Sequence, residues 1–262
     1  MILAVDIGNS TVSFALTANK RILFKSSILS SCWEPGLFRK ALDKFIVQSK
    51  VPVDSIENAV ISCVVPNLLN PVLNAVKTLL SRPAFVVQPG IRIGMRIMYQ
   101  PVASIGSDRI VNAFATRKIY GYPSVCIDFG TATTFNVINS KGDFQGGLIL
   151  PGVQSFSRLL SQTTAQLPLT VFTAPTSVIE QSTETNIRSG TVYGYVSMIE
   201  GLLQRIRHEL NYDFITVATG GSHTLFKNIT RSISIFDENL LFKGLELLCK
   251  HNLDGLDDRR WE

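Results

Sequence analysis

The sequence predicts an α/β protein of two similar halves, each a mixed sheet flanked by helices. Two stretches of one form, residues 2–14 and 125–135, carry this prediction: an apolar run reaches Asp-x-Gly, followed by small polar residues and apolar alternation. Continuous apolar runs such as 59–65 are typical of buried parallel strands. With 262 residues the chain is long enough for two cores, and we predict domains at 1–119 and 120–262.

The remaining elements follow from hydrophobic periodicity. In the first half, we expect a third strand at 21–27, helices at 34–49 and 67–80, a strand at 84–87, and a strand or extended loop at 90–101. In the second half, we expect strands at 125–129, 133–139, 144–150 and 215–219, and helices at 153–163, 186–210 and 240–250.

Composition excludes several classes of protein. The chain is 45% hydrophobic and 17% charged, as in ordinary globular proteins, and no apolar run approaches the roughly 18 residues of a membrane span. Asp6 lies where a signal peptide would be uncharged, so we expect a cytoplasmic protein. The net charge of +5 is dispersed, which argues against nucleic-acid binding. Four cysteines form no C-x-x-C pair, and the histidines at 208, 223 and 251 are expected to be surface or packing residues.

Each Asp-x-Gly stretch is interpreted as a hairpin that binds an anion. The aspartate emerges at the end of its strand, and the glycine lets the backbone turn back. Backbone N–H groups and hydroxyls at the turn favour phosphate, and a carboxylate beside a phosphate is useful if a cation lies between them. Two such hairpins suggest two halves that close on one nucleotide. The turn residues are Asn9, Ser10 and Thr11 in the first and Thr131, Thr133 and Thr134 in the second.

A third polar segment, residues 104–109, opens a helix. Ser107 is predicted to be its N-cap, and Asp108 lies in the first turn, where the helix dipole favours an anion. Asp108 is therefore either a capping carboxylate or a catalytic one. The sequence has no P-loop, H-E-x-x-H, G-x-S-x-G or G-x-G-x-x-G motif, so carboxylates remain as the candidates for acid–base chemistry.

The order of strands and helices resembles that of actin-like and sugar-kinase-like ATPase domains. Five motifs together are similar in order and spacing to type III pantothenate kinases: 6–10 (DIGNS), 106–109 (GSDR), 128–134 (DFGTATT), 146–152 (GGLILPG) and 219–221 (TGG). The resemblance implies two actin-like (ribonuclease H-like) domains with the active site in the cleft between them. It also implies ATP-dependent phosphorylation of pantothenate, the first step of coenzyme A biosynthesis, by a homodimer that binds neither nucleic acid nor a membrane.

The resemblance also implies roles for individual residues. Asp108 would take the proton of the pantothenate hydroxyl, for which an ordinary carboxylate is adequate because phosphoryl transfer needs positioning more than basicity. Asp6 would hold Mg²⁺, through water, and Asp128 a K⁺ or NH₄⁺ ion. The ATP-binding residues would be Asp6, Ile7, Gly8, Asn9, Ser10, Thr11, Val12, Ser13 and Thr131. The pantothenate-binding residues would be Tyr99, Gly106, Ser107, Asp108, Arg109 and Thr183.

The sequence departs from the family pattern at four positions: Gln100, Ser107, Asn136 and Glu180. Asn136 stands where an aspartate is usual, and the lost charge is expected to weaken cation binding without abolishing chemistry. Two rival functions remain: a kinase of another small hydroxylated substrate, and a non-catalytic regulatory homologue that acts as an accessory factor of gene expression. The intact aspartates argue against the second.

Overall fold

The computed structural model describes residues 1–31, 36–156 and 173–257, the last four by backbone alone. The chain divides into two compact units. The second is Tyr120–Glu238, and the first is Met1–Ile119 together with the segment that begins at Asn239. The division after Ile119 agrees with the predicted domain limit. The closing helix does not, because it belongs to the first unit rather than the second.

The first unit contains a five-stranded mixed sheet in the order β3-β2-β1-β4-β5. Its strands are β1 (Ile2–Ile7), β2 (Thr11–Ala18), β3 (Arg21–Leu29), β4 (Asn58–Cys63) and β5 (Phe85–Val86). Strand β1 pairs antiparallel with β2 and parallel with β4. Its helices are α1 (Leu37–Ser49), α2 (Pro66–Leu80), α3 (Ser107–Tyr120) and a C-terminal helix, α5 (Leu240–Asp257).

Hydrophobic residues cover both faces of β1. Leu3, Val5 and Ile7 lie in one core cluster with the buried residues of α1 and α2, and Ile2 and Ala4, which alternate with them, are buried too. Helix α5 lies against β1 to β4. The sheet of the first unit is therefore covered on both faces, as its continuous apolar strands predict.

Helix α5 is held in the first unit by two close contacts. Gly244 lets it approach α3, because a Cβ there would lie 2.8 Å from the Ala115 Cβ and 2.8 Å from the Val111 Cγ1. The fully buried carboxylate of Glu246 accepts hydrogen bonds from the Lys20 backbone N–H at 2.9 Å and the Lys250 ammonium at 2.6 Å. These tertiary contacts explain why α5 leaves the unit that precedes it in the chain.

The second unit repeats the arrangement of the first. Its sheet has the order β10-β9-β6-β7-β8, with β6 paired antiparallel to β7 and parallel to β9. Strands β6, β7, β8, β9 and β10 therefore correspond to β1, β2, β3, β4 and β5. They are β6 (Ser124–Phe129), β7 (Ala132–Ile138), β8 (Phe144–Pro151), β9 (Ile215–Thr219) and β10 (Ile235–Phe236), and the long helix is α4 (Thr183–Leu210). The predicted duplication is confirmed.

The long helix α4 packs on the second sheet. Val125 and Ile127 of β6 share a core cluster with Tyr195 and Ile199 of α4. Residues 90–101 form a loop and not a strand. The predicted helix at 153–163 is present from 153 to 156, and its remainder lies outside the described residues. Across the described ranges, no helix is both long and apolar enough to cross a membrane.

Candidate active site

The first hairpin places Asp6 at the end of β1, beside Ser13 of β2 and Ser62 of β4. The Gly8 N–H donates to the Thr11 carbonyl at 2.9 Å. From β3, the adjoining Ser30 binds the turn: its hydroxyl donates to the Gly8 carbonyl at 2.7 Å and its N–H to the Ser10 carbonyl at 2.9 Å. Asn9 and Ser10 are exposed, Ile7 and Val12 are buried, and Asp6, Gly8, Thr11 and Ser13 are half-buried. The side chains of Ile7 and Val12 thus belong to the core.

The second hairpin places Asp128 at the corresponding position of β6, beside Thr134 of β7 and Thr219 of β9. The exposed Thr131 is fixed through its backbone, since its carbonyl accepts the Gly152 N–H at 3.1 Å. A Cβ on Gly152 would lie 2.5 Å from this carbonyl oxygen, so glycine is required there. The two hairpins match in register, but the first has one more residue in its turn than the second.

The Gly-Gly turn after β9 lies directly against Asp128. Gly220 has φ +88°, which favours glycine, and a Cβ on it would overlap the Asp128 Oδ1. The Gly220 carbonyl accepts hydrogen bonds from His223, from the backbone N–H at 3.3 Å and from the ring Nδ1 at 2.6 Å. His223 is 7% exposed. We expected a surface or packing histidine, so sequence reasoning missed this contact; its only signal is the position three residues after Gly220.

In the first unit, helix α3 begins one residue earlier than predicted, at the residue that was expected to be its N-cap. Ser107 is the first helical residue, and the carbonyl of Gly106 accepts the N–H groups of Arg109 and Ile110 at 3.1 and 3.3 Å. The prediction that Ser107 is the N-cap is wrong, because its side chain has partners outside the helix.

The hydroxyl of Ser107 ties α3 to the end of β4. It accepts the Cys63 N–H at 2.8 Å, donates to the Cys63 carbonyl at 3.0 Å, and lies 3.1 Å from the Ser62 hydroxyl. A hydroxyl has one donor and two acceptor positions, so these three bonds use its capacity. The Ser107 side chain therefore positions the helix start and has no hydrogen bond left for a substrate.

Asp108 is half-buried in the first turn of α3. Burial raises the pKa of its carboxyl group, although the backbone N–H groups of Arg109 and Asp108 and the Arg109 charge act in the opposite direction. The sequence argument required no more than an ordinary carboxylate, and the structure gives Asp108 a raised pKa. The N–H contacts are those of a capping carboxylate, and the raised pKa is what a general base near neutral pH needs.

Arg109 links Asp108 to the loop before the helix. Its guanidinium carbon lies 5.3 Å from the centroid of the Tyr99 ring, within cation–π range, and the residue is only 5% exposed. The structure thus brings Tyr99, Gly106, Asp108 and Arg109 together in the first unit. Thr183, the remaining predicted pantothenate ligand, is the exposed first residue of α4 in the second unit.

Gly106→Ala tests how closely the Asp108 carboxylate is positioned. A Cβ at residue 106 would overlap the Asp108 Oδ1 and lie 3.5 Å from the Val64 Cγ1. Because the crowded oxygen ends a side chain, the fold should survive and the carboxylate should move. We expect kcat to fall about 100-fold, with the unfolding temperature little changed. Gly190→Ala on α4, which has open space around it, is the control, and an unchanged kcat in Gly106→Ala would contradict the prediction.

Comparison with known proteins shows which protein family this chain resembles. The model of the type III pantothenate kinase family matches residues 2–205. The chain belongs to this family. Type III pantothenate kinases of Syntrophus aciditrophicus and Brevibacillus brevis are 32% and 34% identical to it, and the matches cover 96% of this chain and 100% and 99% of those proteins.

Solved structures confirm the predicted actin-like fold. A conserved Baf family protein from Campylobacter jejuni has a TM-score of 0.61 at 21% identity, covering 96% of this chain and 99% of that one. MreB 5 of Spiroplasma citri bound to AMPPNP has a TM-score of 0.56 at 10% identity, covering 98% of both chains. At these identities the likeness concerns the fold alone.

The departures from the family pattern lie in different environments. Asn136 is fully buried, and its amide donates to the Thr134 hydroxyl at 3.3 Å. A charge there would need compensation inside the core, which the neutral amide does not. Gln100 is exposed, and the half-buried Glu180 accepts a hydrogen bond from Ser177 at 3.3 Å.

The residues fit the small cations that the family resemblance implies. Each hairpin offers one carboxylate, Asp6 or Asp128, and hard cations prefer oxygen ligands. Within the described residues, no group of three or more His, Cys, Asp and Glu side chains could hold a metal ion. A magnesium ion bound by one carboxylate, water and substrate phosphates needs no such group.

Proposed function

We propose that the protein transfers the terminal phosphoryl group of ATP to the hydroxyl of pantothenate, giving 4'-phosphopantothenate for coenzyme A biosynthesis. The observation that carries the proposal is the grouping of Asp108, Arg109 and Tyr99 at the start of α3 in a member of the pantothenate kinase family. It supplies a carboxylate of raised pKa beside a buried cation. Pantothenate, which carries a primary hydroxyl group and a carboxylate, matches both groups.

Asp108 and Arg109 have separate tasks in this mechanism. Asp108 accepts the hydroxyl proton as the hydroxyl oxygen bonds to the terminal phosphorus of ATP and the bond from that phosphorus to ADP, the leaving group, breaks. The bonds of Ser107 to Cys63 keep the helix turn of Asp108 in place. Arg109, stacked on Tyr99, attracts the carboxylate of pantothenate. Positioning supplies most of the rate enhancement, because a loose transition state demands little early proton removal.

Each hairpin is a candidate site for phosphate or its counter-ion. Backbone N–H groups and hydroxyls of residues 8–13 and Thr131 contact phosphate oxygens. Asp6 would hold Mg²⁺, and Asp128 would hold K⁺ or NH₄⁺. When bound, these cations neutralise the negative charge of the phosphates.

A steady-state assay with ATP, Mg²⁺, K⁺ and pantothenate tests the function. We expect ATP-dependent formation of a phosphorylated product, which mass spectrometry detects. A panel of sugars and small hydroxy acids separates pantothenate from another hydroxylated substrate. Absence of turnover by a folded protein that binds ATP would overturn the proposal and favour the regulatory alternative, which a gel shift with DNA at physiological salt would then examine.

Monovalent cations test the role of Asp128. Replacing K⁺ by Na⁺ at constant ionic strength should lower kcat/KM for ATP, because the cation proposed for Asp128 is K⁺ or NH₄⁺, and Na⁺ is smaller than both. Asp128→Asn should respond less to the exchange than the parent protein. Asp143→Asn, which changes a carboxylate in the turn between β7 and β8, is the control. Equal rates in K⁺ and Na⁺ would contradict the role of Asp128.

The raised pKa of Asp108 predicts an acid limb in the pH profile. A carboxyl group with a raised pKa keeps its proton to a higher pH, so the basic form is lost as pH falls through that pKa. As the pH is lowered, we expect kcat at saturating pantothenate to begin to fall while the pH is still above about 3.9, the pKa of an ordinary aspartate. An amide analogue of pantothenate removes the titration of the substrate. A kcat that stays constant down to about pH 4 in folded protein would contradict the shift.

We also propose a cytoplasmic homodimer that does not bind nucleic acid. The support is the family membership and a basic charge that is dispersed along the sequence. Light scattering coupled to size-exclusion chromatography tests the oligomeric state, for which a mass of twice 28.9 kDa is expected.

A further inference from the structure

His223 holds the Gly-Gly turn through a short hydrogen bond. Its ring Nδ1 lies 2.6 Å from the Gly220 carbonyl oxygen. Because a carbonyl oxygen only accepts, Nδ1 carries the proton and donates it. The ring is buried and lies 6.3 Å from the Phe236 ring, measured between centroids. A side chain that is buried and bonded in this way fixes the backbone it contacts.

The turn that His223 holds lies against both the Asp128 side chain and the backbone of β6. A Cβ on Gly220 would overlap the Asp128 Oδ1 and lie 2.6 Å from the Phe129 backbone nitrogen. The next residues add a second fixed point, since the Ser222 N–H donates to the Phe129 carbonyl at 3.1 Å. A shift of Gly220 would therefore change the space beside the Asp128 carboxylate.

We propose that His223 is a positioning residue: through the Gly220 carbonyl it holds the turn at residues 219–221 against Asp128 and thereby sets the affinity of the second unit for nucleotide and its monovalent cation. The proposal rests on the proposed function for the identity of these ligands. His223 touches neither reacting group, so its loss should weaken binding more than it slows the bound complex.

Two variants separate the hydrogen bond from the ring packing. His223→Asn keeps a donor N–H near the position of Nδ1 but removes the ring, and His223→Phe keeps a ring but removes the donor. We expect the dissociation constant for a non-hydrolysable ATP analogue in K⁺, measured by titration calorimetry, to rise about tenfold in His223→Phe and less than about threefold in His223→Asn. The KM for ATP should follow the same order, with kcat changed less.

The exposed His208→Ala on α4 is the matched control and should behave like the parent protein. Unfolding temperatures show whether each variant is folded. If His223→Phe binds the nucleotide as the parent does, or if His223→Asn loses more affinity than His223→Phe, the ring is a packing group and the proposal is overturned. The calorimetric result does not depend on turnover, so a protein that binds nucleotide but fails to phosphorylate pantothenate would refute the proposed function and leave this test intact.

Discussion

Asp108→Asn is expected to lower kcat by about 10²- to 10⁴-fold, the usual contribution of a general base, while leaving the dissociation constant for ATP within about twofold. The amide retains the size and the acceptor oxygen of the carboxylate but cannot take the hydroxyl proton. It also lacks the charge that burial makes costly in the folded protein, so its fold should be preserved. Steady-state rates and calorimetric titration with ATP measure the two quantities.

Glu184→Gln is the matched control for Asp108→Asn. Glu184 is also a first-turn carboxylate, in α4, but it is exposed and pairs with Arg188 four residues later at 2.9 Å. Its loss should change neither kcat nor ATP affinity. If Asp108→Asn lost kcat and ATP affinity equally, together with stability, the capping interpretation of Asp108 would be correct.

Gly220→Ala is expected to have the second large effect. The new Cβ would meet the Phe129 backbone nitrogen at 2.6 Å and its carbonyl carbon at 2.7 Å, and the φ of +88° is unfavourable for alanine. Strain and overpacking together should cost about 2–4 kcal/mol of unfolding free energy. The displaced Asp128 carboxylate should also weaken binding of the nucleotide, by about tenfold or more. Chemical denaturation and calorimetric titration give the two values.

The neighbouring residue provides the control for this substitution. Gly221 has open space around its Cβ position and no positive φ that would strain alanine. Gly221→Ala should therefore stay within about 0.5 kcal/mol of the parent in stability and bind nucleotide equally well. Equal losses in the two variants would mean that the turn tolerates no side chain for reasons other than its contact with Asp128.

The parts of the structure that local sequence encodes were predictable. The paired hairpins repeat one pattern of apolar residues, aspartate and glycine, and their registers place Asp6 and Asp128 at corresponding positions. The loop and helix start that bring Tyr99 to Arg109 lie within eleven residues of chain. The alternation of apolar and polar residues and the choice of turn residues act over such short distances, so local sequence patterns are sufficient to predict these features.

The parts that depend on contacts between distant residues were not predictable. Ser107 binds Cys63 of β4, and α5 lies against β1 to β4, strands that end more than 170 residues before α5 begins. The burial that raises the pKa of Asp108 also comes from the assembled fold. None of these leaves a periodicity or a spacing in the sequence.

The return of α5 to the first unit has a consequence for biosynthesis. During translation, strands β1 to β4 emerge long before the helix that lies against them, and Glu246, which accepts the Lys20 N–H, is made 226 residues after its partner. The apolar face that α5 covers lacks this helix while the second unit is synthesised. All the strands of the second unit are therefore made before the first unit is complete. The first unit, although most of it is synthesised first, therefore cannot complete its fold until the second unit has been synthesised.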